Sequence, residues 1–140
     1  MIRATVDTNV LASGIARRNP ASAVVQIVDR WRAGHFDLII SDHIVTELAH
    51  TLAEPYFRRH ITVDTAAQFI ELLCDRAILT PILVSVHGVA THPEDDLILA
   101  TAVSANASFL VTGDTHLQSI GAFEGVMIVG PRAFLDHLGA

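Results

Sequence analysis

Five short apolar runs, each set apart from the next by a stretch with helical spacing, constrain this chain more than any other feature. They are Ile2-Arg3-Ala4-Thr5-Val6, Phe36-Asp37-Leu38-Ile39-Ile40, residues 82–86, Ser108-Phe109-Leu110-Val111-Thr112 and Val126-Met127-Ile128-Val129. Strands that are apolar almost throughout, instead of alternating apolar with polar, are covered on both faces, and strands joined through helices run parallel. The expected fold is an α/β protein: a three-layer α/β/α sandwich around a central, mainly parallel sheet of about five strands. A hydrophobic content of 51% fits a sheet buried on two sides, and 140 residues favour one domain, residues 1–140.

Helical spacing covers residues 10–16, 21–32, a helix opened by Ser41-Asp42 that carries Glu47, residues 62–77, and a C-terminal helix opened by Pro131. Thr91-His92-Pro93-Glu94 has the spacing of a capping box with proline in the first turn, so another helix is expected to start there. Residues 56–60, after Pro55, read as a connection. Cys74 falls in the apolar helical stretch around Phe69-Ile70-Leu72-Leu73 and is expected to be a buried thiol.

Several function classes drop out at this stage. No apolar run approaches the ~18 residues that cross a bilayer, and the N-terminus has no signal-peptide pattern, so a cytoplasmic protein with no membrane partner is expected. One cysteine excludes an intramolecular disulfide and any multi-cysteine metal site. All nine basic residues are arginine. Without lysine there is no Schiff-base chemistry, no P-loop, and none of the lysine-dependent haloacid-dehalogenase or receiver chemistry. A net charge of −6 argues against simple grip on a phosphate backbone, yet it is what carboxylates gathered around metal ions would produce.

The acids are placed to do that. Asp7 closes the first strand and Asp114 closes the strand at 108–112; if those strands are neighbours at a switch point, the two carboxylates share one sheet edge, where open α/β sheets bind ligands. Glu47 and Asp95 can reach the same edge from flanking helices. Each also has a plainer reading: Asp7 as a helix cap, Asp95 and Asp96 as partners of a helix dipole, Asp114 as a turn former. Four converging carboxylates would need a cation, and all-oxygen ligands select a hard one, Mg²⁺ or Mn²⁺. Glu47-x-x-His50 is half of a di-iron motif, but it has no second copy, and His43 and His50 are expected to be exposed.

DTNVLASGIA, ELAHTLAEPYFRR, HPEDDLILATAVSANASFLVTGDTHL and GVMIVGPRAFLDHL resemble, in this order and spacing, a PIN domain. They are most similar to the branch described as toxin components of toxin–antitoxin systems. Thr115-His116 stands where that branch often has a Lys-Asp pair. The resemblance implies a metal-dependent endoribonuclease using one or two Mg²⁺ or Mn²⁺ ions. Its metal-binding and catalytic acids fall on Asp7, Glu47, Asp95 and Asp114, with Asn9, Asp96 and Thr112 in support. It implies an RNA substrate, with Arg17, Arg18, Arg58 and Arg59 as candidates for phosphate contact, and a protein antitoxin; the acidic and hydrophobic composition fits a homodimer that also binds the antitoxin. The alternative is a PIN-like module that binds RNA or protein without cleaving.

Overall fold

The computed structural model describes residues 1–139. In chain order, β1 (Arg3–Val6) leads into α1 (Thr8–Ala16) and α2 (Ala23–Arg32), and β2 (Asp37–Ile40) into α3 (Asp42–Leu52), the short α4 (Pro55–Arg58) and α5 (Val63–Arg76). After β3 (Ile78–Leu79) an irregular stretch reaches α6 (Pro93–Ser104) and β4 (Phe109–Val111). The chain closes with α7 (Thr115–Ile120), β5 (Ala122–Phe123), β6 (Val126–Val129) and α8 (Pro131–Leu138).

The strands form one sheet in the order β3-β2-β1-β4-β6-β5, parallel throughout except for the β5/β6 pair. From β1 the chain first builds outward through β2 and β3, then returns to add β4 and β6 on the other side. The sheet therefore has its switch point between β1 and β4, where Val6 is in register with Val111. The carboxyl ends of these two strands, and the residues that follow them, are side by side.

Apolar faces explain the layers. Val6, Leu38, Ile39, Ile40, Leu110 and Val111 are all buried, as expected for strands with helices on both sides. α1 packs against α2 and α3, α8 against α2, and α6 against β1, β2 and β4. Phe134 of α8 meets Phe36 and Phe109 edge-on, with ring centroids 5.1 and 5.6 Å away. Where α1 crosses α2 the contact depends on Gly14: a Cβ there would lie 2.5 Å from Val28 Cγ2 and 2.6 Å from the Val24 carbonyl oxygen.

The α/β/α architecture and the parallel sheet agree with expectation, while several local features differ. Among the described residues the sheet has six strands where about five were expected. Residues 82–86 form none: Pro81 has no N–H to offer a ladder, and the Leu83 amide donates to Ser104 Oγ at 2.9 Å. The place beside β2 is taken by Ile78–Leu79, directly after α5. The extra β5/β6 hairpin turns on Glu124 and Gly125, whose φ values of 50° and 84° are the left-handed pair that a tight primed turn needs.

Pro55, read as a break before a connection, instead occupies the first turn of α4 and helps seat buried Phe57. No capping box closes α6: its N-cap is His92, without a side-chain cap bond. Cys74 is exposed, because the buried stripe of α5 runs through Phe69 and Leu73 and the next position turns away from it. Among the described residues, no helix is long and apolar enough to cross a membrane.

Candidate metal centre

Asp7 is the first residue beyond β1, and its backbone N–H continues the ladder to the Val111 carbonyl at 2.9 Å. Its side chain is buried and makes the cap that the plainer reading expects. Oδ1 accepts the Asn9 amide at 3.3 Å, which caps α1. Oδ2 accepts the Thr112 hydroxyl at 2.9 Å. Thr112 follows β4, and the same hydroxyl takes the Asp114 amide at 3.1 Å. One threonine thus ties the ends of the two central strands together.

Glu47 reaches this edge from the middle of α3. Its Oε1 accepts a 2.8 Å hydrogen bond from the Thr8 hydroxyl. Its Oε2 is buried yet, among the described residues, receives no hydrogen bond. His43, one turn earlier, puts Nε2 2.9 Å from that oxygen. The ring N–H is spent instead on the Glu94 carbonyl at 3.0 Å, which fixes the Nε2–H tautomer for that bond. His43 is therefore half-buried inside the site region rather than exposed as expected; His50, by contrast, is exposed.

Asp95, in the first turn of α6, completes a cluster: one carboxylate oxygen each from Asp7, Glu47 and Asp95 lie within 4.8 Å of one another. Burial, followed by the charges of Asp7, Glu47 and Asp114, raises the Asp95 pKa from 3.8 to about 6, and His92 works the other way. Asp114 lines the same cleft of about 530 Å³ as Asp7, Asn9 and Asp95 but stands outside the tight cluster. Its Oδ1 accepts the His116 and Leu117 amides at 2.8 and 3.3 Å and caps α7. A second cleft of about 490 Å³, lined by Glu47, His43 and His50, meets the first at Asn9.

An all-oxygen donor set and an unbonded buried carboxylate oxygen suit a hard divalent cation. Asp7, Glu47 and Asp95 are the residues positioned to hold one, with Asp114 at the rim. Asn9 contributes its backbone to the Asp7 cap while its side chain stands exposed between the clefts. Asp96 turns away from the cluster: buried, it accepts the Gly88, Val89 and Ala90 amides at 3.0, 3.2 and 2.7 Å and so pins the irregular stretch before α6.

The four arginines do not act as a set. Arg17 pairs with Asp29 at 2.6 Å; Arg58 lines an apolar groove between α3 and α5; Arg59 is exposed at the end of α4. Arg18 alone borders a cleft that adjoins the acids. Thr8, which sequence reasoning passed over, and His43, which it read as exposed, also belong to the site region. Their signals were present: a hydroxyl directly after the strand-end acid, and a histidine four positions before Glu47 on one helix face.

A family model described as PIN domain matches residues 3–116. Among solved structures, VapBC2 from Rickettsia felis, bound to a DNA fragment from their promoter, superposes with a TM-score of 0.60 at 13% identity, over 92% of this chain and 98% of that one. FitAcB from Neisseria gonorrhoeae gives 0.55 at 23% identity, over 92% and 98%. FitAB bound to an IR36 DNA fragment gives 0.56 at 22%, over 91% and 94%. No curated protein matches the chain. At these identities the structural likeness speaks for the fold alone.

Proposed function

We propose, from the premise that this chain belongs to the PIN domain family, that it is a metal-dependent endoribonuclease acting as the toxin of a toxin–antitoxin pair. The observation that carries the reading is the convergence of Asp7, Glu47 and Asp95, one carboxylate oxygen of each within 4.8 Å of the others. The toxin assignment is supported by the sequence resemblance and by the fold shared with VapBC2 and FitAB.

Asp7, Glu47 and Asp95 would hold the cation, with Asp114 completing the set from the rim. When bound, Mg²⁺ or Mn²⁺, as one ion or two, supplies charge at the phosphate and a water of lowered pKa for in-line attack, leaving 5′-phosphate and 3′-hydroxyl ends. The chain's own residues fix the geometry. Thr112 and Thr8 orient Asp7 and Glu47 through their hydroxyls, as outer partners commonly do for ligating carboxylates. Asp95 must give up its proton before it can serve as a ligand. Glu47 Oε2, with His43 Nε2 2.9 Å away, would bind the cation or accept the proton of the attacking water. The two clefts that meet at Asn9 give a strand room on either side of the scissile phosphate.

Purified protein should cleave single-stranded RNA with Mn²⁺ and lose that activity with EDTA or with Asp95→Asn. RNA cleavage that survives both would overturn the metal-dependent reading, and binding of RNA with no cleavage would favour the noncatalytic module. We read residues 1–140 as one nuclease domain that works in the cytoplasm as a homodimer. Light scattering should then give about twice the chain mass of 15.1 kDa, and co-expression of the antitoxin should relieve a growth arrest caused by the chain alone.

A further inference from the structure

Beyond the acidic centre, the far end of α1 carries a group of side chains of a different kind. Arg18 donates from Nη1 to His60 Nε2 at 2.8 Å. The His60 ring is set edge-on to Tyr56 with centroids 5.2 Å apart. Tyr56, the chain's one tyrosine, is 50% exposed. These residues come from two separate connections, the one after α1 and the helix α4, so the fold and not the local sequence assembles them. Arg18 and Tyr56 border a small cleft of about 170 Å³ that shares Ser13 and Val24 with the cleft containing Asp7 and Asp95. The surface is continuous from the acids, along α1 past Asn9 and Ser13, to this aromatic and basic end.

We infer that Arg18 and Tyr56 form a distal subsite for single-stranded RNA, in which a base stacks on the Tyr56 ring and Arg18 takes a backbone phosphate. The inference rests on the ribonuclease reading and adds the direction in which the substrate leaves the reaction centre. A chain of net charge −6 repels a polyanion at long range. A flanking anchor that combines a π-face with a cation is the standard remedy, since it grips any base without reading it. Arg17 is the less suited of the two because it is paired with Asp29; among the described residues Arg18 has no carboxylate partner and donates a hydrogen bond to the in-plane lone pair of His60 Nε2.

The span sets the length of substrate required. α1 has nine residues, which at ~1.5 Å per residue is about 14 Å. A stacked strand at ~3.4 Å per nucleotide covers that with about four nucleotides. Cleavage should therefore be measured with Mn²⁺ on a four-nucleotide RNA core and on the same core extended by eight nucleotides at its 5′ side or at its 3′ side. Wild type is expected to show a KM lower by about tenfold, the size of one base–aromatic stack, for one of the two extensions. Tyr56→Ala and Arg18→Ala should each remove most of that gain while leaving kcat, and KM for the core, within twofold. Tyr56→Phe keeps the ring and should keep the gain. Variants that weaken core and extended substrates alike, or neither, would overturn the subsite while leaving the nuclease reading intact. Wild type that cleaves none of the three RNAs, nor longer RNA, would remove both.

Discussion

The Thr8 hydroxyl and the Glu47 carboxylate meet at 2.8 Å across 39 positions of sequence. This single bond joins the start of α1 to the middle of α3 and sets the angle at which Glu47 enters the acid cluster. Thr8→Val keeps the shape and removes the donor to Glu47 Oε1. Loss of a bond to a partly buried carboxylate should cost ~1–2 kcal/mol in urea unfolding. Loss of an orienting partner should weaken Mn²⁺ binding by ~10–100-fold in calorimetry, and Thr8→Ser should restore most of both. An unchanged Mn²⁺ affinity in Thr8→Val would mean that Glu47 is not a ligand.

Asp96 makes a contrasting prediction. Three backbone amides of the stretch before α6 end on its carboxylate. Asp96→Asn replaces one accepting oxygen with an NH₂ that faces donors. The variant should lose about 2–3 kcal/mol of stability, and the Gly88, Val89 and Ala90 amides should exchange hydrogen much faster. Because the side chain points away from the cluster, Mn²⁺ affinity should fall by less than about tenfold. A collapse of metal binding with amide exchange unaltered would place Asp96 among the ligands.

Gly14 tests the link between helix packing and the site. Alanine is the better helix former by ~1 kcal/mol, yet its Cβ would sit 2.6 Å from the Val24 carbonyl oxygen, a backbone atom of α2 that cannot rotate aside. Gly14→Ala should therefore destabilise the fold by ~1–3 kcal/mol as the two helices are pushed apart. Mn²⁺ affinity should drop with it, since α1 carries the Asp7 cap and Thr8 at its start. A rise in melting temperature would show that α1 and α2 are not held at this distance.

How far the residues disclosed this arrangement can be judged from particular cases. Continuous apolar runs leading to Asp7 and Asp114 revealed the parallel sheet and the edge where the acids gather, because strand burial and strand ends are local properties. Which acids face one another is not local. Asp95 and Asp96 are adjacent, yet on a helix with 3.6 residues per turn they point about 100° apart; one joins the cluster and the other binds a loop. Arg17 and Arg18 part in the same way, one to Asp29 and one to His60. Residues 82–86 have a strand's composition, but the edge they would fill is already occupied by β3 as α5 ends. These outcomes depend on partners brought together only by the fold.

The raised pKa of Asp95 gives the site a signature in pH. Burial and the neighbouring carboxylates move its pKa from 3.8 to about 6 in the folded, metal-free protein. At this residue the folded state therefore binds more protons than the unfolded state between those two values, so the Asp95 contribution to stability falls as pH rises from ~4 to ~6 and levels off above that. Asp95→Asn abolishes this dependence: without metal it should melt at or above wild type at pH 7, and the difference should vanish near pH 4. Metal reverses the order. At ~100 times its dissociation constant, Mn²⁺ adds roughly 2.7 kcal/mol to wild type, a rise of about 5–20 °C in melting temperature for a domain of this size. Because the ligand must be deprotonated, that affinity should weaken by about tenfold for each pH unit below 6. Asp95→Asn should lose most of the rise at every pH. If Asp95 only complemented the dipole of α6, the substitution would change stability by a few tenths of a kcal/mol and leave the Mn²⁺ response as it was. Equal Mn²⁺ shifts in wild type and variant at pH 7 would thus remove Asp95 from the metal centre.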